Sequence, residues 1–246
     1  MKRRDLFLAT AALLILWQIL SWIVRLPILP SPLVVAKTFV VELVKGDLWR
    51  HFLASLWRVV ASTALSIGLA APAGLALGQS RQLSKIFLPV IYILYPIPKV
   101  VFVPVLLLFF GIGDLSKILV IFLVLFFQIL VLVRDQAAAL RPELILSVRS
   151  LGAGRRALFR FVYLPASLPA ILTALRQSIG TAVAVLYVVE FFATNLGLGY
   201  YIAFQGSTLL NYPAMYAGIV MMSLLGLSLY FLVDRLEKTL CRWQSP

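Results

Sequence analysis

Lys99 and Glu190 are ionisable residues inside long apolar runs. A charge at bilayer depth costs about 2.5 to 3.5 kcal/mol on insertion scales, so such a side chain usually faces a protein interior or a water-filled cavity. Lys99 closes the segment Tyr95-Pro96-Ile97-Pro98-Lys99, where each proline deletes a backbone hydrogen bond and interrupts a helix. Broken backbone inside a membrane is tolerated where it is buried in protein or lines a cavity. Pro96, Pro98 and Lys99 therefore read either as a pathway-lining elbow whose ammonium attracts an anion, or as a kink from which Lys99 snorkels to water. Glu190 reads as a buried structural partner of Lys99 or Arg176, or as a gate. Arg176 and Gln128 complete the pathway candidates, although a glutamine in a span often only bonds a neighbouring helix.

Other chemistry is poorly supported. One histidine, His51, and one cysteine, Cys241, supply neither a metal cluster nor an intrachain disulfide. No stretch has the phosphate-cradling pattern G-x-x-x-x-G-K-[ST], and neither H-E-x-x-H nor G-x-S-x-G occurs. No cofactor is expected in this chain, and any ATP hydrolysis belongs to another one. His51, in a polar juxtamembrane stretch, reads as a surface residue.

The elements that must position these residues are set by composition. Hydrophobic residues make up 62% and charged residues 13% of 246, and the mean hydropathy is +1.02. The apolar material falls into stretches of about 20 residues, long enough to cross roughly 30 Å of hydrocarbon. The expected architecture is all-α, one polytopic membrane domain over 1–246 with about six transmembrane helices. The net charge of +13 does not indicate nucleic acid, because the basic residues lie between apolar spans and not on one face with exposed aromatics.

The run from Leu6 to Val24 follows Met1-Lys2-Arg3-Arg4 and is longer than a signal core, so it reads as a retained first span. Further spans are expected over Trp57–Leu77, a proline-broken Ile86–Phe110, Lys117–Val133, within Leu168–Phe192, and over Pro213–Val233. Lysine and arginine crowd the side holding the N-terminus, the Gln79–Lys85 loop, the block Arg134–Arg160 and the C-terminus. Positive loops stay in the cytoplasm, which puts both termini and that block inside. The Pro27–Phe52 connection is then periplasmic, with Leu29-Pro30-Ser31-Pro32 starting a short amphipathic helix at the membrane surface. Gly74-x-x-x-Gly78, with Gly68 before it, permits close helix approach, either between two copies or within one.

In the basic block, Leu144, Val148 and Leu151 recur at i, i+4 and i+7, so a helix opening near Pro142 carries an apolar stripe. A partner's groove or this protein's own surface must cover it. Gly152 stands where that helix ends.

The stretch from Pro142 to Ala153, with Val162-Tyr163-Leu164-Pro165 after it, resembles the cytoplasmic signature of binding-protein-dependent ABC importer permeases: Glu-Ala-Ala, three residues, glycine, nine residues, Ile-x-Leu-Pro. The spacing, Gly152 and Leu164-Pro165 are kept; Leu146-Ser147-Val148 replace the opening triplet, and Glu143 lies one turn too early to stand in for its glutamate. Leu29-Pro30-Ser31-Pro32, Tyr95 to Lys99, Phe109 and Gly111-Ile112-Gly113-Asp114 with Ser116-Lys117, and Glu190 followed by Gly197-Leu198-Gly199-Tyr200 resemble the nitrate, sulfonate and taurine branch in order.

The resemblance implies the type I (MetI-like) importer fold, with a core transport domain over about 56–240 and a coupling loop over 134–165. It implies a bacterial inner-membrane complex of two permease copies, two ATPase subunits that hold ATP and magnesium, and a periplasmic or lipid-anchored solute-binding protein. Glu143, Leu144, Ser147, Val148, Arg149, Leu151, Gly152, Ala153, Leu164 and Pro165 then form the ATPase-coupling element. Gly197 to Tyr200 resembles a turn where the binding protein docks. Against this stand an ion-coupled transporter or channel, which would need no ATPase, and a membrane enzyme, for which no reactive cluster is present. The cargo reads as a small anion, with a vitamin precursor as the alternative.

Overall fold

The computed structural model describes residues 3–192 and 194–244. Lys2, counted above among the N-terminal charges, lies outside the described residues. The described chain is helical. In order it forms α1 (Arg3–Val24), α2 (Pro32–Val44), α3 (Leu48–Gln79), α4 (Arg81–Leu94), a 3-10 turn (Lys99–Phe102), α5 (Val103–Phe110), α6 (Asp114–Ala138), α7 (Pro142–Ser150), α8 (Arg155–Leu158), a wide turn (Phe159–Tyr163), α9 (Leu164–Phe191), α10 (Leu198–Ala203) and α11 (Tyr212–Leu240). Among the described residues, five helical stretches are long and apolar enough to span a membrane, and α4 with the segment Lys99–Phe110 makes a sixth, bent by 77°.

Local chemistry explains the boundaries. Ser31 caps α2, accepting the N–H of Val34 ahead of a proline at the first helical position, and Ser80 caps α4 through Leu83 N–H. The expected break falls at Tyr95 to Pro98. Several spans are longer than the apolar runs suggest: α3 starts at Leu48 and not near Trp57, α6 at Asp114 and not Lys117, α9 at Leu164 and not Leu168, and α11 continues to Leu240, past Val233. Of the polar residues in the α3 and α6 extensions, His51, Ser55 and Ser116 are buried in protein, whereas Arg50 and Asp114 are exposed.

The chain forms two compact units, 1–55 with 190–224, and 56–189 with 225–246. In the first, Trp17 Nε1 donates to Pro30 O (3.1 Å) and Ser21 Oγ to Leu29 O (2.9 Å), pinning the Leu-Pro-Ser-Pro turn onto α1. Gly218 of α11 lets Tyr201 and Ile202 of α10 approach; a Cβ there would lie 2.8 Å from both side chains.

In the second unit, Ile121, Leu125, Ile129 and Val133 are fully buried at four-residue spacing along α6. Gly74 and Gly78 of α3 meet the backbone of this helix: a Cβ on Gly74 would lie 2.9 Å from Leu130 O, and one on Gly78 2.7 Å from Arg134 O. The small-residue motif thus serves packing within one chain. Leu172, Leu175, Ile179, Val233 and Cys241 form a further core between α9 and the end of α11.

Candidate coupling helix and pathway residues

Helix α7 runs from Pro142 to Ser150, with Glu143 in its first turn and Arg149 in its last, both favourable to the helix dipole. Ser147 Oγ donates back to Glu143 O (2.7 Å). Gly152 ends the helix at φ +81°, its N–H bonded to Arg149 O, a left-handed conformation that glycine adopts without Cβ strain. Ala153 follows, half-buried, and α9 opens with Leu164 and Pro165.

The expected stripe divides. Leu144 and Val148 line an apolar groove of about 350 Å³ together with Phe161, Val162, Pro165 and Trp243. Leu151 lies past the helix end and is 86% exposed, and Leu146 on another face is 62% exposed. Pro165 and Trp243 border the groove on its far side, and Leu144 remains 49% exposed at its rim, so the apolar surface around α7 runs from Leu144 to Leu146 and Leu151.

At the elbow, Pro96 and Pro98 lie in exposed non-helical backbone. Lys99 Nζ turns back to Leu94 O (2.8 Å), which also accepts the Ile97 N–H, and to Tyr95 O at the end of α4, and sits 4.7 Å from the Phe127 ring centre. Gln128, next to Phe127 in sequence, is half-buried on α6. Arg176 pairs with Asp234 (3.1 Å) and Glu237 (3.0 Å) of α11, and Thr173 Oγ1 donates to Glu237. Glu190 is fully buried; it accepts from Ser55 Oγ and from Gly199 N–H at 2.9 Å.

A profile described as "Binding-protein-dependent transport system inner membrane component" matches residues 66–241. The taurine transport system permease protein TauC of Escherichia coli (strain K12) is 31% identical over 200 residues, covering 81% of this chain and 72% of TauC. The chain belongs to this family of transport-system permeases. The riboflavin transport system permease protein RibX of Chloroflexus aurantiacus is 34% identical over 235 residues, 95% of this permease and 87% of RibX. An inward-facing MetNI methionine ABC transporter chain superposes with a TM-score of 0.68 at 20% identity, covering 78% of the permease and 95% of that chain, and shows the shared fold. The permease is thus a multi-pass, non-catalytic subunit of an ABC importer, a family that works with an ATPase and a binding protein.

Several buried polar contacts of the permease escaped the sequence reading. His51 is not a surface residue: it is 8% exposed, with Nδ1 3.0 Å from both the N and the O of Gly197 and its ring against Tyr200 and Tyr201. Arg58, 3% exposed, pairs with Asp114 at 2.7 Å, and buried Lys117 donates to Ile112 O and Gly113 O. One signal was available. His51, Ser55, Arg58, Ser62 and Ser66 recur every three or four residues and are all buried, a polar stripe along α3 at helical period.

Proposed function

We propose that two copies of this permease form the path for a small anion, such as taurine, another sulfonate or nitrate, handed over by a periplasmic or lipid-anchored binding protein. Similarity to the taurine permease over 81% of the chain carries this reading of the cargo. Two ATPase subunits hold ATP and magnesium, and both termini and the 134–165 loop face them in the cytoplasm. The lysine and arginine distribution supports that orientation.

Coupling runs through α7. Leu146 on the helix and Leu151 just past its end enter the ATPase surface, while Leu144 and Val148 face Pro165 at the start of α9 across the apolar groove. Closure of the ATPase dimer then moves α9, one wall of the path, as a rigid piece. Pro96, Pro98, Lys99 and Gln128 line the path; Arg176 and Glu190 hold its walls through Asp234, Glu237, Ser55 and the α10 backbone.

Co-purification with the cognate ATPase and binding protein, followed by ATP-driven uptake of labelled taurine into proteoliposomes, tests this reading. Leu151→Asp should lose the ATPase while the permease still inserts. ATP-independent flux from the chain alone would overturn it. A vitamin precursor is the second reading of the cargo, favoured by the 34% identity to the riboflavin permease. Riboflavin-stimulated ATPase activity without a taurine response would select it.

A further inference from the structure

Helix α11 ends at Leu240, and the chain makes one more turn over Arg242–Gln244. That turn is anchored close by. Cys241, 3% exposed, packs in the core with Leu172, Leu175 and Ile179 of α9 and Val233 of α11. One helical turn earlier, Glu237 accepts the Thr173 hydroxyl and, with Asp234, holds Arg176. An apolar patch and charge-assisted bonds thus fix the end of α11 to α9.

From this anchor Trp243 reaches the groove beside the coupling helix, which it lines with Leu144 and Val148 of α7, Phe161 and Val162 of the wide turn, and Pro165 of α9. Among the described residues, all the other lining positions fall within 144–166. The indole is the contribution of a distant part of the chain.

A tryptophan left 60% exposed at a helix end has two physical uses. At a membrane surface its amphipathic ring anchors the helix in the headgroup layer. In a groove it offers a large, rigid apolar surface at low conformational cost. The second use fits its surroundings. A lipid anchor would be ringed by lipid, whereas this indole shares a slot with apolar side chains of a loop that also carries Arg141 and Arg149.

We infer that Trp243 is a positioning residue for transport: its indole is the stop against which α7 moves, so that a push on the coupling helix reaches the end of α11 through the tail as well as α9 through Pro165. The inference rests on the coupling reading above and adds α11 to the parts that move. About 350 Å³ of the groove is open, and a shift of α7 that closes it brings Leu144 and Val148 onto the indole. Removing the indole widens the groove, and the same shift is then absorbed by the void before it reaches α11.

The test uses the full complex of permease, ATPase and binding protein in proteoliposomes, and reads labelled solute imported per ATP hydrolysed, with taurine and riboflavin as the two probes. Trp243→Ala should lower that ratio about fivefold, a moderate coupling for residues that share a contact, and Trp243→Phe should restore most of it. Combining Trp243→Ala with Val148→Ala should cost little more than the worse single change, because both open the same groove. A wild-type ratio for Trp243→Ala would overturn the inference. Losses that multiply in the double variant would also overturn it, and would place the indole at the lipid surface. So would loss of the ATPase from Trp243→Ala on purification, which would make the tail an ATPase contact. Should Trp243→Ala fail to accumulate, Leu144→Cys with Trp243→Cys in a Cys241→Ala background is treated with a short bismaleimide and mapped by proteolysis. A bridge within one chain is expected, and its absence would overturn the shared groove. ATP-independent flux of either probe by the wild type would overturn the coupling reading itself, while the bridge would still report on the groove.

Discussion

Ser55 Oγ lies 2.9 and 2.8 Å from the two carboxylate oxygens of Glu190, and the same oxygen receives the N–H of Leu198 at 2.8 Å. Gly199 N–H adds a bond to the carboxylate. A hydroxyl and a carboxylate thus take up N–H groups at the start of α10, which has no side-chain cap of its own. Gly197, at φ +129°, is held beside them because a Cβ there would collide with the Glu190 carboxyl group.

Replacing Glu190 with leucine takes away the acceptor of the Ser55 hydroxyl proton and of Gly199 N–H in a buried site, at a cost of about 1 to 3 kcal/mol. The midpoint of thermal unfolding in detergent should fall for Glu190→Leu, and less for Ser55→Ala. An unchanged midpoint for Glu190→Leu would show that this network does not hold the α10 turn.

Gly78→Val should be destabilising by overpacking, on the order of 1 to 3 kcal/mol, because its side chain would be driven into Arg134 O and Ala137 of α6. Gly68→Ala, where a Cβ meets nothing within 4 Å, is the matched control. Equal thermal stability of the two variants would contradict the α3–α6 contact.

At Gly152 a Cβ also meets nothing within 4 Å, so the constraint is conformational. Asn, which tolerates the left-handed region, should retain transport, whereas Leu or Val should abolish it while the protein still inserts. Wild-type uptake by Gly152→Val would remove the need for a fixed turn after the coupling helix.

Cys241 is 3% exposed beyond the end of α11, and burial, aided by the Glu237 charge, pushes its thiol up from the ordinary value. The reactive thiolate is therefore scarcer than in a free cysteine at neutral pH, and its fraction grows only as pH rises past that value. Maleimide labelling of the folded protein should be slow at pH 7, faster above pH 9, and rapid after denaturation. Fast labelling of the native protein at pH 7 would mean that the C-terminal end does not pack as described.

The six apolar runs, the break at Pro96 and Pro98, and the short helix that opens at Pro142 and stops before Gly152 were legible from the residues alone. Their causes are local: a run's length must match the bilayer, a proline lacks its N–H, and a glycine permits a left-handed turn. The family signature was equally readable, because its spacing lies within one loop.

Partners were not legible. Arg176 finds Asp234 and Glu237 across roughly 60 positions, Arg58 finds Asp114, and His51 finds Gly197. Nothing near any of these in the chain names the other, since a buried polar group is satisfied by whatever the helix packing brings beside it. For the same reason the residues alone left Gly74 and Gly78 open between two roles, and only the approach of α6 decided it. Leu144 and Leu151 share a helical period, yet packing turned one toward Trp243 and left the other free, because periodicity specifies a face and tertiary contacts specify what covers it.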